Sequence, residues 1–498
     1  MNTNNFQKIN ITLAFSISVL MIGSLMVSCV GGRIAENEDT PIKPYAENPF
    51  YWQYKGKPVL LLGGTWQDNL FNHPMGLEAH LDKLKECGGN YVRNTMSHRN
   101  EGNVFAYAFK DGKYNLDEWN NEYWNRLDNF LKLCLERDII AQVEIFDPWD
   151  LMADHQTQGG WSFHPLNPNN NVNYTAEESG LPVSIANNPG EEPSDHPFYK
   201  SVPSVENNTV VLNYQKAFVD KLLSISLQYP NVLYSIQNES GEILEFGDYW
   251  IRYIREKAQQ ANKEIHTADM RRNNNITAED HGFIYDNPEL YTYVDISQNN
   301  SQNIATGQLH WDRIMAVREI LMEKGIRPMN NNKIYSREEG DVHVNGPQRF
   351  WRIIMGGCAS ARFHRPHPLE GGPENHYKLS MHGLGLHPQA QANIKSARLF
   401  SETMDVFNCQ PDNNLLSDRS DNEAYCFANK GHQYAVYFPL QGSVSLNLSD
   451  VDGNWQVKWL NISNSEWLNQ NEVLKGGDWV NLKSPETGHC VAVILPQK

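Results

Sequence analysis

At 498 residues the chain can bury a large core, and its length suits two or three domains or one barrel of about 250 residues or more with an appendage. Forty-two basic against 59 acidic residues leave a formal charge of −17, and no Lys/Arg run supplies the basic surface that a nucleic acid partner requires. Apolar residues at 40% and charged residues at 20% exclude a disordered or multi-span membrane chain, while 13 Trp and 22 Tyr offer flat faces for sugar rings even if most of them are core.

In chain order, Lys8 precedes an apolar segment from Ile11 to Val27 that is too short for a permanent span and ends in "LMVSC". The segment resembles a bacterial lipoprotein signal, which implies cleavage after residue 28 and lipidation of Cys29; a simple secretory signal is the alternative. Either way the chain is expected outside the cytoplasm, anchored at the outer membrane or cell surface or held in the periplasm. Residues 29–45, with Gly, Glu, Asn and Pro, read as a flexible tether. The other six cysteines show no CxxC pairing, so a metal cluster is not expected. Cys87, Cys134 and Cys358 lie in apolar runs as buried thiols, and Cys409, Cys426 and Cys490 leave room for a disulfide.

From residue 57 onward short apolar runs alternate with amphipathic segments. Strands are expected at 58–64, 90–96, 139–146, 232–236, 264–270, 292–298, 327–335 and 359–365. Helical segments are expected at 76–88, 123–138, 214–230, 248–262, 287–291, 309–325 and 347–357. Eight such units need a parallel sheet and fit a closed (β/α)₈ TIM barrel over residues 46–402; no glycine-rich dinucleotide loop follows the first strand. An aperiodic insert from Pro148 to about Val210 follows the third strand, which would lay it over the barrel mouth. Beyond residue 403 the short alternating segments divided by Gly, Asn, Asp and Ser predict an antiparallel β-sandwich.

Active sites of such barrels lie at the C-terminal ends of the strands. The fourth strand ends in "IQNESGE", so Asn238 and Glu239 reach the mouth. A half-desolvated carboxylate there is expected to hold a proton near neutral pH and act as a general acid, with the neighbouring amide binding a substrate hydroxyl. Glu144 and Asp147 in "VEIFDPWD" are a second acid, substrate contacts, or an ion pair with Arg93. Glu242 reads as a loop or helix-cap carboxylate, and Asp269 with Arg271 and Arg272 as a structural charge network. His364 and Arg365 in "FHRPHP" are expected to floor the sugar subsite or to be satisfied neighbours. Trp66, His98, Trp149 and Trp161 fall in mouth-side loops, where at least one is expected to stack on a ring. No HExxH or comparable ligand cluster appears, so neither a metal nor another cofactor is expected.

Asn-Glu closing strand four resembles the acid/base signature of the large retaining glycoside hydrolase superfamily. From "NPFYWQYKGKPVLLLGGTWQDNLFN" through "ASARFHRPHP" to "YAVYFPLQGSVSLNLS", residues 48–498 are similar to bacterial secreted glycosidase-like proteins that carry a C-terminal domain labelled collagen-binding. The resemblance implies that Glu239 is the acid/base, that Asn238 binds the hydroxyl beside the reacting carbon, and that Arg93 orients the nucleophile. It departs at strand seven. "PMNNNKIYSREEGD" has Lys333 where the nucleophilic Glu is sought, as a substrate contact or ion-pair partner, and Glu338 and Glu339 follow as nucleophile candidates. A separation from Glu239 of about 5 Å would give retention and about 6.5–9.5 Å inversion. Two functions result: an exported glycoside hydrolase, or a glycan-binding surface lipoprotein that has lost its nucleophile.

Overall fold

The computed structural model describes residues 40–497 apart from 74, 153, 155–157, 186–195, 242, 301–304, 336–341, 365–385 and 471. Cys29, Glu242, Glu338, Glu339 and Arg365 therefore lie outside the described residues.

The protein is a (β/α)₈ barrel followed by antiparallel sheets. The barrel strands are β1 (Leu61–Thr65), β2 (Tyr91–Thr95), β3 (Ile140–Phe146), β4 (Val232–Gln237), β5 (Thr267–Ala268), β6 (Val294–Asp295), β7 in two pieces (Met329–Asn330 and Ile334–Tyr335) and β8 (Ser360–His364). Every residue of β1 to β4 and β8 is buried, the signature of parallel strands covered on both faces. Parallel pairing runs β5-β4-β3-β2-β1-β8-β7, and the first piece of β7 pairs with β6. The β5/β6 seam is closed by side chains: Thr292 Oγ1 accepts from Thr267 N at 2.9 Å, and Thr267 Oγ1 donates to Leu290 O at 2.5 Å.

A helix follows each strand: α1 (Leu77–Glu86), α2 (Asn121–Glu136), α3 (Thr209–Ser226), α4 (Leu244–Gln260), α5 (Glu279–Asp286), α6 (Gly307–Lys324), α7 (Val342–Met355) and α8 (Pro388–Thr403). In α2 the periodic Tyr123, Trp124, Leu127, Phe130, Leu131 and Cys134 are buried, and Asn120 caps the start by accepting from Glu122 N. The fifth helix lies at 279–286, not at 287–291 as the periodicity suggested, because Asn287 and Pro288 end it. The eighth carries no expectation from the sequence; Pro388 at its first turn and His387, accepting from Gln389 N, start it.

Residues 42–44 belong to the expected tether but are built into the fold. Ile42 is buried and donates its N–H to Pro230 O, and Lys43–Pro44 pairs with Trp52–Gln53. This small three-stranded sheet, completed by Lys57–Val59, sets Trp52 and Tyr54 against Leu61, Tyr91, Ile140, Leu233 and Ala359 at the N-terminal end of the barrel. It closes that end, and Trp52 Nε1 donates to Asn330 Oδ1 at 2.8 Å inside.

The C-terminal strands are β9 (Gln410–Pro411), β10 (Leu416–Ser417), β11 (Tyr425–Asn429), β12 (Gln433–Phe438), β13 (Ser443–Asn447), β14 (Asn454–Asn461), β15 (Glu466–Trp467), β16 (Glu472–Lys475), β17 (Trp479–Lys483) and β18 (Cys490–Pro496). They form a large sheet, β9-β11-β12-β18-β14-β15 with β16 on β14, and a small one, β10-β13-β17. Cys426, Val436, Trp459 and Ala492 fill the space between the sheets. The alternate residues Tyr425, Phe427, Tyr437 and Val491 join the barrel core instead, with Tyr425 on Trp311 of α6 and Tyr437 on Trp351 of α7. Cys409, Cys426 and Cys490 are buried, unbridged thiols.

Candidate active site

The mouth is built from the residues that end the strands. Asn238 and Glu239 follow β4 directly, and Glu239 takes a left-handed backbone conformation (φ 61°) that costs a non-glycine residue free energy. The turn is held from both sides, since Ser240 N donates to Met270 O at 2.7 Å and Arg272 N donates to Ser240 O at 3.0 Å. Ser240 also donates to Asp269 Oδ2 at 2.9 Å and accepts from Arg271 at 3.2 Å, so the Asp269–Arg271 network supports the turn.

Lys333 enters the mouth through the break in β7. There the strand leaves its ladder, and the backbone N–H groups of Asn331 and Asn332 donate to Ser360 Oγ and Ser297 Oγ instead, each at 2.7 Å. The Lys333 ammonium, 3% exposed, bonds Glu239 Oε1 and donates to Asn238 Oδ1 at 3.3 Å. This reverses the electrostatics expected at position 239. Burial pushes the Glu239 carboxyl up, but the Lys333 charge and hydrogen bond, the Gln298 amide and the Arg93 charge outweigh it and hold the group at about 2. Glu239 is thus an ionised carboxylate at neutral pH, not the proton holder that its half-buried position suggested.

Around this pair runs a closed circuit of charges. Arg93, fully buried on β2, donates from Nε to Glu144 Oε1 at 2.7 Å and from Nη1 to Asp68 Oδ1 at 3.1 Å. Asp68 accepts on Oδ2 from Arg99 at 3.0 Å, and Arg99 Nη1 reaches Asp147 Oδ2 at 2.6 Å. Glu144 and Asp147 both belong to the end of β3, so the circuit closes on itself. It holds three carboxylates and two guanidiniums, one negative charge in excess when all are ionised. Burial raises the Asp147 carboxyl to about 7 against the pull of Arg99, so this excess is lost as Asp147 takes a proton near neutrality. His364, ending β8, sets Nδ1 3.1 Å from Asp68 Oδ1. Asp295, deeper in the barrel on β6, is raised to about 6 by burial although Ser297 and Gln142 donate to it.

The aromatic candidates divide. Trp66 is 4% exposed and Trp161 1%, the latter packed on His164 and His196 and donating to Pro182 O at 2.6 Å. Both rings are buried, and of the four only Trp149, half-buried, shows appreciable surface. His98 is buried with Nδ1 3.6 Å from Asp150 Oδ2. With Asp147, Asp150, His164 and Phe198 it lines a cavity of about 60 Å³ beside β3.

Of the candidates, the structure brings Asn238, Glu239 and Lys333 into contact and joins Arg93, Glu144, Asp147 and His364 through Asp68 and Arg99. Asp68 and Arg99 escaped the sequence reading. Asp68 lies three residues past β1 in "TWQDN", and Arg99 adjoins His98, so the rule that strand ends carry the site could have found both. Among the described residues no group of three or more His, Cys, Asp or Glu side chains is placed to hold a metal ion.

Among solved structures the chain is similar to a glycoside hydrolase family 5 protein from Bacteroides vulgatus ATCC 8482, with a TM-score of 0.60 at 13% identity over 92% of this chain and 94% of that one. It is similar to a second structure described as a glycoside hydrolase, with a TM-score of 0.61 at 12% identity over 92% and 97% of the two chains. At these identities the likeness shows the fold. No family model matches the chain, and no curated protein matches it.

Proposed function

We propose that the chain is a glycoside hydrolase acting on a poly- or oligosaccharide at the barrel mouth, exported and anchored by a lipid on Cys29. The observation that carries the reading is the ionised Glu239 beside Asn238 at the end of β4, next to a buried circuit of three carboxylates and two guanidiniums. Cleavage of a glycosidic bond passes through an oxocarbenium-like state and needs one ionised and one protonated carboxyl group. Glu239, held ionised by Lys333, fills the first role, and Asn238 holds a ring hydroxyl. The protonated role falls to Glu338 or Glu339, a few residues after Lys333.

Lys333 also favours a second reading. An ammonium that neutralises Glu239 at the strand-seven position leaves a polar mouth without catalytic charge, as suits a glycan-binding surface lipoprotein. A screen of polysaccharides for cleavage and for binding, with wild type and Glu239→Gln, separates the two. The hydrolase reading expects released oligosaccharides and a loss of more than about a hundredfold in the variant. Binding without cleavage supports the second reading, and a wild type that does neither overturns both. Labelling with a fatty-acid analogue, lost in Cys29→Ser, tests the anchor.

A further inference from the structure

We infer that Asp68 is the positioning residue of the mouth, an inference that rests on the reading of the mouth as the place where sugar is handled. Asp68 is 4% exposed and lies against three basic side chains: it accepts from Arg93 on Oδ1 at 3.1 Å and from Arg99 on Oδ2 at 3.0 Å, and His364 Nδ1 stands 3.1 Å from Oδ1. These come from β2, β8 and the loop after β2, while Asp68 itself comes from the loop after β1. One carboxylate therefore sets the relative placement of three elements that border the site.

The consequences reach the reacting groups through the two guanidiniums. Arg93 holds Glu144 with its Nε and acts on the charge of Glu239, so its fork orientation bears on the central carboxylate. Arg99 spans Asp68 and Asp147, and Asp147 caps the turn at 148–151 that opens the long insert by accepting from Trp149 N at 3.1 Å. A planar fork can bridge two carboxylates in this way, whereas an ammonium acts as a point charge. Without the Asp68 charge, two buried guanidiniums each lose a carboxylate that now balances them beside Glu144 and Asp147. Buried charges that lose a partner move or drag their neighbours. Asp68 need not touch the sugar to matter, because displacement of about 1 Å at a site is enough to cost about a hundredfold in rate.

Asp68→Asn keeps the shape and removes the charge, and Arg99→Lys keeps a charge and removes the fork. Nuclear magnetic resonance of ¹⁵N-arginine protein reports whether the Arg93 and Arg99 guanidiniums are locked, with Arg93→Lys and Arg99→Lys assigning the signals. Separate, slowly exchanging N–H signals are expected in wild type and averaged ones in Asp68→Asn; signals that stay separate overturn the inference. In parallel, turnover of a panel of cello-, manno- and xylo-oligosaccharides should fall about a hundredfold in kcat for both variants, with KM changed less than about threefold. A kcat within twofold of wild type, in variants whose melting temperature is preserved, also overturns it. If wild type cleaves none of the panel, the hydrolase reading loses support while the arginine signals still decide the role of Asp68.

Discussion

Replacing Lys333 with Met removes the ammonium that lies against Glu239 and leaves a side chain of similar length. With Lys333 present the Glu239 carboxyl sits at about 2 against an ordinary value of 4.5. Closing that gap is worth about 3 kcal/mol at about 1.4 kcal/mol per pH unit, in line with the cost of stripping one partner from a buried pair. The sign follows from linkage. A carboxyl whose folded value lies below its unfolded value adds stability above about pH 4.5 and loses it as pH falls toward 2. In Lys333→Met burial acts with the weaker Gln298 and Arg93 contributions opposing it, so the carboxyl rises toward its ordinary value or beyond. The variant should therefore be about 3 kcal/mol less stable than wild type at pH 7.5 in urea unfolding, with the gap closing as pH drops below 5. Titration of ¹³C-glutamate protein, with Glu239→Gln to assign the signal, measures the carboxyl directly. A variant as stable as wild type at pH 7.5, with Glu239 still ionised at pH 3, would refute the electrostatic reasoning and the role of Lys333 with it.

Two further outcomes follow from packing and protonation. His164 Nδ1 accepts from Leu166 N and His196 Nδ1 from Phe198 N, each at 3.1 Å, and burial holds both rings down at about 3. Their contribution is complete above the unfolded value of 6.5 and lost as pH falls from there toward 3, about 2 kcal/mol each at pH 5. Trp161 fluorescence in urea should show its environment melting earlier at pH 5 than at pH 7.5; coincident curves would count against the assignment. At Gly63, where β1 meets β2, a methyl group would land on Tyr91 O, so Gly63→Ala should cost about 3 kcal/mol or more in denaturant unfolding. At Gly64 the nearest atom is the flexible end of Leu386 at 3.0 Å, and Gly64→Ala should cost less.

The sequence made the barrel legible because its strands are buried on both faces and read as apolar runs between amphipathic helices. Val232–Gln237 and Ile140–Phe146 stand within a residue of their expected bounds. The later strands shrank: the run at 264–270 pairs only at Thr267–Ala268, and 327–335 breaks at 331–333, where side-chain hydroxyls replace the ladder. Hydrophobic periodicity does not register such a replacement. The site was legible as a location, since Asn238 and Glu239 do end β4. Its charge state was not, because Lys333 lies 94 residues from Glu239 in the chain and the contact depends on the break in β7. Asp68 lay within reach of the strand-end rule, but its pairing did not, as its three neighbours come from positions 93, 99 and 364.

The large C-terminal sheet turns one face to its companion sheet and the other to α6 and α7, where Tyr425 and Tyr437 lie on Trp311 and Trp351. Such a seam makes the two halves inherit together. A gene truncated after α8 would leave an oily scar on the barrel, prone to clumping, and a transplanted sandwich would arrive with half its interior bare. Recombination could not readily swap this module between hosts, so lineages carrying the barrel should keep the tail with it.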